Sequence, residues 1–266
     1  MANPWIAALS ALFVWWFSTG ALLFSVKRAD SGGPGAHRAL VLLALPLLFI
    51  GVYGLFRSLS DDESWGAYIG FLSALAIWGW IELAFLCGVI TGPAPQACPP
   101  GCAGLERFLR AFGTIAWHEM LLVAALLGIA AATQGAENTT ALWTFAVMFF
   151  ARVSAKLNLF FGVPHINTEF LPAPLAHLAS HFRRRAMNAL FPISITLLSM
   201  ATFCWLERIY TTGGIEFVLL AALTALALLE HWFMVLPLPD EKLWRWMIPA
   251  RKDTPKTMIR EEPHGF

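Results

Sequence analysis

Seven stretches of the chain, residues 4–26, 39–57, 65–90, 111–133, 140–161, 187–207 and 214–236, are long and apolar enough to cross a bilayer as helices, and this decides the solvent in which the chain folds. Crossing about 30 Å of hydrocarbon takes about 20 apolar residues in helical form. Composition agrees, with 58% hydrophobic residues, 13% charged residues and a mean hydropathy of +0.64; soluble domains carry about a quarter charged residues. The expected fold is all-α and polytopic: a seven-helix membrane domain over 1–239 followed by a basic tail over 240–266. The short connections leave no room for a soluble domain.

The first stretch does not read as a cleaved signal, because Met1, Ala2 and Asn3 supply no basic leader and Lys27 and Arg28 follow the apolar run. It is expected to insert with the N-terminus periplasmic. Lys and Arg favour cytoplasmic loops, and that orientation places sixteen of the eighteen basic residues on the cytoplasmic side. They are Lys27, Arg28 and Arg38 in the first connection, Arg107 and Arg110 in the third, Arg152, Lys156 and Arg183 to Arg185 around the fifth, and six in the tail. Only Arg57 and Arg208 fall on the other side, and the C-terminus is cytoplasmic. A net charge of +1 conceals this asymmetry. Anionic lipid headgroups account for the basic face, and no nucleic-acid partner is implied.

The stretch 162–186 is too polar to span and too rich in Leu, Phe and Ala to be a free loop, so it is expected to lie along the inner surface. Pro172 and Pro174 introduce a short amphipathic helix, Leu175 to Phe182, that ends at Arg183, Arg184 and Arg185. Leu175, Leu178 and Phe182 would enter the headgroup boundary while the arginines hold phosphates. Together with His165, Asn167, Glu169, His177 and His181 these arginines form a candidate cytoplasmic docking face. His177 and His181 stack at i, i+4 if the segment is α-helical, a spacing that can bind zinc, although no Glu of a His-Glu-x-x-His motif accompanies them. In the tail, Trp244 and Trp246 beside Lys242 and Arg245 suit an interfacial anchor. Pro46 marks the expected kink in the second helix.

Ionisable residues in hydrocarbon are costly and therefore informative. Glu82, His118, Glu119, Arg152, Lys156, Glu230 and His231 all fall in apolar stretches. Counted from the inner ends of the expected helices, they share one layer about 7 to 14 Å deep. Arg152 and Lys156 lie on one helical face, and Asn158 on another. Three acids against two bases leave one carboxyl unmatched. The layer reads as a structural ion-pair network or as a proton or ion pathway, with Glu119 and Glu230 handling protons beside Arg152. Ligand pairs for a metal are present in His118-Glu119 and Glu230-His231, but neighbours on a helix point 100° apart and the Glu-x-x-His spacing of di-iron bundles is absent. His118 or His231 alone would suffice as the axial ligand of a pigment in an aromatic pocket. A retinal protein is disfavoured, since the last helix has no lysine. Cys87, Cys98, Cys102 and Cys204 are expected to be free thiols.

Three passages carry a resemblance. They are Trp5-Ile6-Ala7-Ala8 continuing to Trp15-Trp16-Phe17-Ser18-Thr19-Gly20, the run from His118-Glu119 through Ala151-Arg152-Val153-Ser154-Ala155-Lys156-Leu157-Asn158 to Pro164-His165-Ile166-Asn167-Thr168-Glu169-Phe170-Leu171-Pro172, and His181-Phe182-Arg183-Arg184-Arg185 with Asn188. Up to about Pro239 the chain resembles the PuhE family, membrane proteins of purple phototrophic bacteria encoded near the reaction-centre H subunit and described as photosynthetic complex assembly proteins. The Cys98 to Gly104 loop and the tail match less closely. The resemblance implies a non-enzymatic role in assembling the reaction centre and light-harvesting complex, or in supplying bacteriochlorophyll to it, in the bacterial inner or intracytoplasmic photosynthetic membrane. Its implied partners are reaction-centre or light-harvesting subunits or other assembly factors. It brings no catalytic residue. The alternative that the residues themselves leave open is a transporter or membrane enzyme using the buried polar layer.

The charge map makes a topology prediction. A reporter active only in the periplasm should be silent when fused after residue 240 and active when fused after Gln134; the reverse pattern would invert the orientation.

Overall fold

The computed structural model describes residues 3–61, 63–168 and 171–237. Glu169 and the tail from 240, with Trp244 and Trp246, lie outside the described residues. The described chain is helical, with no strand among its elements beyond one isolated bridge between Val163 and Arg184. In order, the helices are α1 (Pro4–Asp30), α2 (Ala36–Leu43), α3 (Leu45–Ser58), α4 (Ser64–Leu86), α5 (Gly104–Gly113), α6 (Ala116–Ala132), α7 (Thr140–Phe161), α8 (Leu190–Thr212) and α9 (Ile215–Phe233), with a 3-10 helix, Ala173–His181, between α7 and α8. Six helices are long and apolar enough to cross a membrane when α2 and α3 count as one, and seven when the bent pair α5 and α6 does too.

The break between α2 and α3 falls at Ala44, with Pro46 in the first turn of α3, where its missing N–H leaves no bond unmade. The other break was not expected. Instead of one helix over 111–133, α5 and α6 meet at 68°. The cause is backbone competition by the segment just after α4. Ala94 N–H donates to the Gly113 carbonyl at 3.0 Å, and His118 N–H donates to the Thr91 carbonyl at 3.0 Å, so the groups that would continue the helix are taken by another strand of chain.

α4 is the central helix. It packs on α1, α3, α6, α7 and α9, and its face of Gly66, Ala67, Gly70, Ser73 and Ala74 is buried. Small residues let helix backbones approach closely, which substitutes for the hydrophobic driving force missing in lipid. Gly51 on α3 completes the contact; a Cβ there would stand 3.0 Å from the Ser73 carbonyl oxygen. Phe71, Leu122, Phe145 and Leu219, from α4, α6, α7 and α9, fill the centre of the bundle.

Loops gather at two ends. At one, Asn138 Nδ2 donates to the Asp61 carbonyl at 2.9 Å and Glu137 N–H to the Leu59 carbonyl at 3.1 Å. At the other, the connections holding Lys27, Arg107 and Arg183 converge. Lys27 Nζ donates to the Leu171 carbonyl at 2.9 Å, Cys98 N–H to Ser180 Oγ at 2.8 Å, and Arg107 to the Phe160 carbonyl at 3.0 Å. α6 therefore begins at the basic end beside Thr91 and finishes at the opposite end beside Leu59, alongside α4.

In the segment 162–186 the apolar stripe is placed differently from the expectation. The segment closes on itself where Val163 N–H donates to the Arg183 carbonyl and Arg185 N–H to the Val163 carbonyl. Leu175 and Leu178 are buried against Phe85 of α4 instead of facing headgroups, and the helix is 3-10, so His177 and His181 do not stack at i, i+4. Gly162 sits at φ 122°, where a side chain is strained and a Cβ would strike the Arg185 side chain.

The break gives a stability prediction. A Cβ on Gly92 would lie 2.1 Å from the Gly113 carbonyl oxygen, a backbone atom with nowhere to move. Gly92→Val should lower stability by about 1 to 3 kcal/mol, read as a lower unfolding midpoint in mild detergent, whereas Gly128→Val, open on all sides, should change it little.

Candidate functional site

Five of the seven residues of the expected polar layer come together. Glu82 is in the last turn of α4 and is 6% exposed, and Arg152 of α7 donates to its Oε2 at 2.9 Å. One turn along α7, Lys156 bonds to Glu119 of α6 and approaches His118 Nδ1 at 3.3 Å. His118 Nε2 lies 3.5 Å from Glu82 Oε1, and its ring stacks on Phe85 with centroids 4.2 Å apart. A lysine ammonium has only protons to give, so Nδ1 of His118 is the acceptor and the Nε2 proton turns toward Glu82. Both ring nitrogens are thereby directed at protein groups.

The bend between α5 and α6 changes the expected depths. His118 and Glu119 are in the first turn of α6, not 7 to 8 residues inside a longer helix. Glu82 is likewise near the end of its helix, so the cluster sits at the basic end of the bundle, and α7 supplies the deepest member, Arg152.

Glu230 and His231 form no hydrogen bond or ion pair with these five, although Glu230 lines one cavity together with Glu82 and Arg152. His231 Nδ1 donates to the Ala227 carbonyl at 2.8 Å, which leaves Nε2 as an acceptor for the Ser154 hydroxyl at 2.9 Å. Glu230 has no hydrogen bond or ion pair among the described residues and lines two adjoining cavities of about 400 and 320 Å³, shared with Trp15. It is the unmatched carboxyl of the formal charge count.

Of the candidate docking face, His165, Arg184 and Arg185 are exposed, Asn167, His177 and Arg183 half-buried, and His181 buried. Burial, reinforced by His181, pushes the His177 imidazole below its ordinary range. No group of three or more metal-ligating side chains occurs among the described residues, and the four cysteines are free thiols.

A second polar junction has no counterpart among the expected site residues. Asn158, fully buried, donates to Ser194 Oγ at 2.9 Å and accepts from Asn188 at 3.0 Å. Asn188 also donates to the Gly162 carbonyl and caps α8 by accepting from the Leu190 and Phe191 N–H groups. Its sequence signal was the placement of Asn158 within an apolar helix. Arg107 is similar: only 5% exposed, it lies 3.9 Å above the Phe160 ring and donates to the His181 carbonyl, although its position suggested a loop cation.

A family model described as protein of unknown function (DUF3623) matches residues 1–255. The chain is 57% identical, over 99% of its own length and 97% of the relative's, to an uncharacterized 30.4 kDa protein in the puhA 5′ region of Rhodobacter capsulatus. No solved structure matches it.

Removing one member of a buried pair strands the other. Arg152→Met should destabilise the protein by about 3 to 5 kcal/mol in detergent unfolding, and the double variant Glu82→Gln with Arg152→Met should recover a large part of that loss. Additive losses would mean the two groups are not coupled.

Proposed function

The chain belongs to the DUF3623 family, and from that premise we propose that it is a non-enzymatic membrane factor in building the bacterial photosynthetic apparatus. The observation carrying this reading is the position of its 57% identical relative in the puhA 5′ region, which points to a photosynthesis gene neighbourhood. It agrees with the resemblance to assembly proteins encoded near the reaction-centre H subunit. We further propose seven crossings with the N-terminus periplasmic, so that the end bearing Lys27, Arg107 and Arg183 faces the cytoplasm of the photosynthetic inner membrane.

In this reading the protein acts through contacts. Exposed His165, Arg184 and Arg185 form the polar part of its cytoplasmic docking face, and the lipid-facing sides of α1, α3 and α8 are free to meet hydrophobic subunits of the reaction centre or antenna. The ion-pair cluster holds that face in place. Bacteriochlorophyll supply would be the pigment-handling form of the same role, and axial ligation by His118 or His231 would have to displace the bonds both rings now make.

The alternative, a transporter or enzyme using the buried layer, draws on the unpaired Glu230 between two cavities. Deleting the gene in its phototrophic host should lower the antenna and reaction-centre absorbance bands, and unchanged bands would refute an assembly role. Complementation with Glu119→Gln and Glu230→Gln should restore full absorbance if the layer is structural. Failure of either folded variant would favour proton handling.

A further inference from the structure

The space beneath the 3-10 helix is a cavity of about 400 Å³ lined by α4 to α7, Ile166, Asn167 and the segment 171–182. That volume is within the range of about 300 to 1,000 Å³ used by small-molecule sites. Its walls are apolar, with Phe85, Phe108, Phe160 and Phe182 among them. Two residues on the wall carry buried polar atoms with no hydrogen-bond partner, His181 and Arg152.

His181 defines the chemistry. The residue is 3% exposed, and Nε2 lies 3.0 Å from the Gln96 carbonyl oxygen. A carbonyl only accepts, so Nε2 carries the proton and Nδ1 is an acceptor left unmet. The ring is held in this pose, because its own carbonyl accepts from Arg107, which is fixed over Phe160. A buried acceptor without a donor is unfavourable, and a hydroxyl reaching into the cavity supplies one. On the other side, Arg152 offers a buried Nε–H with no acceptor.

Charge decides the rest. The ionised groups on the wall already have counter-ions, Arg152 in Glu82 and Lys156 in Glu119, so none is left to call for a charged ligand. A single water would fill little of the space, given its share of about 30 Å³.

We propose that this cavity binds a neutral, membrane-soluble molecule whose hydroxyl donates to His181 Nδ1 and whose apolar body lies against the phenylalanines. Two sources share that chemistry, a polyprenyl alcohol and a phenolic ring. The site is independent of the assembly role, since binding is measured on purified protein whatever the deletion phenotype.

The test uses the full chain in mild detergent, with farnesol and 4-octylphenol as probes and their methyl ethers as controls, titrated calorimetrically. An ether keeps the body and loses the donor, so each alcohol that binds should do so at least tenfold more tightly than its ether. His181→Phe should erase that preference, and Ala111→Trp, which fills the cavity without removing a polar atom, should abolish binding. Tighter farnesol identifies the prenyl source, and tighter octylphenol the phenolic one. Equal affinities for alcohol and ether, a preference that survives in His181→Phe, binding that survives in Ala111→Trp, or no binding by any probe would each overturn the proposal. If His181→Phe does not fold, the alcohol and ether comparison on the native chain and Ala111→Trp still decide it.

Discussion

An ionised side chain in hydrocarbon must find its partner within the protein, and here that demand binds together the basic ends of α4, α6 and α7. Glu82, Arg152, His118, Lys156 and Glu119 form one continuous set of contacts, every link of which joins residues from two of these helices except the neighbours His118 and Glu119. Each helix end is placed by what its charge must reach. The 68° bend between α5 and α6 belongs to the same constraint, because it brings the first turn of α6, with both of its polar residues, to the level of Glu82.

Apolar packing then works around this fixed point. Away from the basic end, small residues on α4 admit α3 and the first turn of α7 closely. At the basic end the connections behave as a folded cap. Arg107 reaches back to carbonyls of α7 and the 3-10 helix, Asn188 ties the cap to α7 and α8, and Leu175 and Leu178 plug the space beside Phe85. Charge pairing in one layer and backbone-directed hydrogen bonds in the next bind this end together.

The helices were legible because span length is imposed by the bilayer: the fifth stretch, 140–161, coincides with α7. The cluster was legible for the same reason that it exists, since charges in apolar runs announce themselves. What could not be read was backbone competition. Nothing in Thr91 or Ala94 reveals that their main-chain groups will take those of Gly113 and His118, so the bend and the depth of His118 were missed. The fate of Leu175 and Leu178 was hidden too, because an apolar stripe has the same sequence signature whether it meets lipid or protein.

The geometry also bears on whether the charged layer moves. Alternating access rests on two arrangements of one bundle against another, commonly built from internal repeats, and no such repeat is evident in this chain. Arg152 and Lys156 instead connect a single face of α7 to both α4 and α6, while the opposite face binds α8 through Asn158 and Ser194 and α9 through Ser154 and His231. Rocking α7 against either neighbour would separate ionised or hydrogen-bonded groups in a medium without water to replace them. α7 thus acts as a post to which four helices are fastened by polar bonds, an arrangement that favours a rigid platform over a pathway that opens and closes.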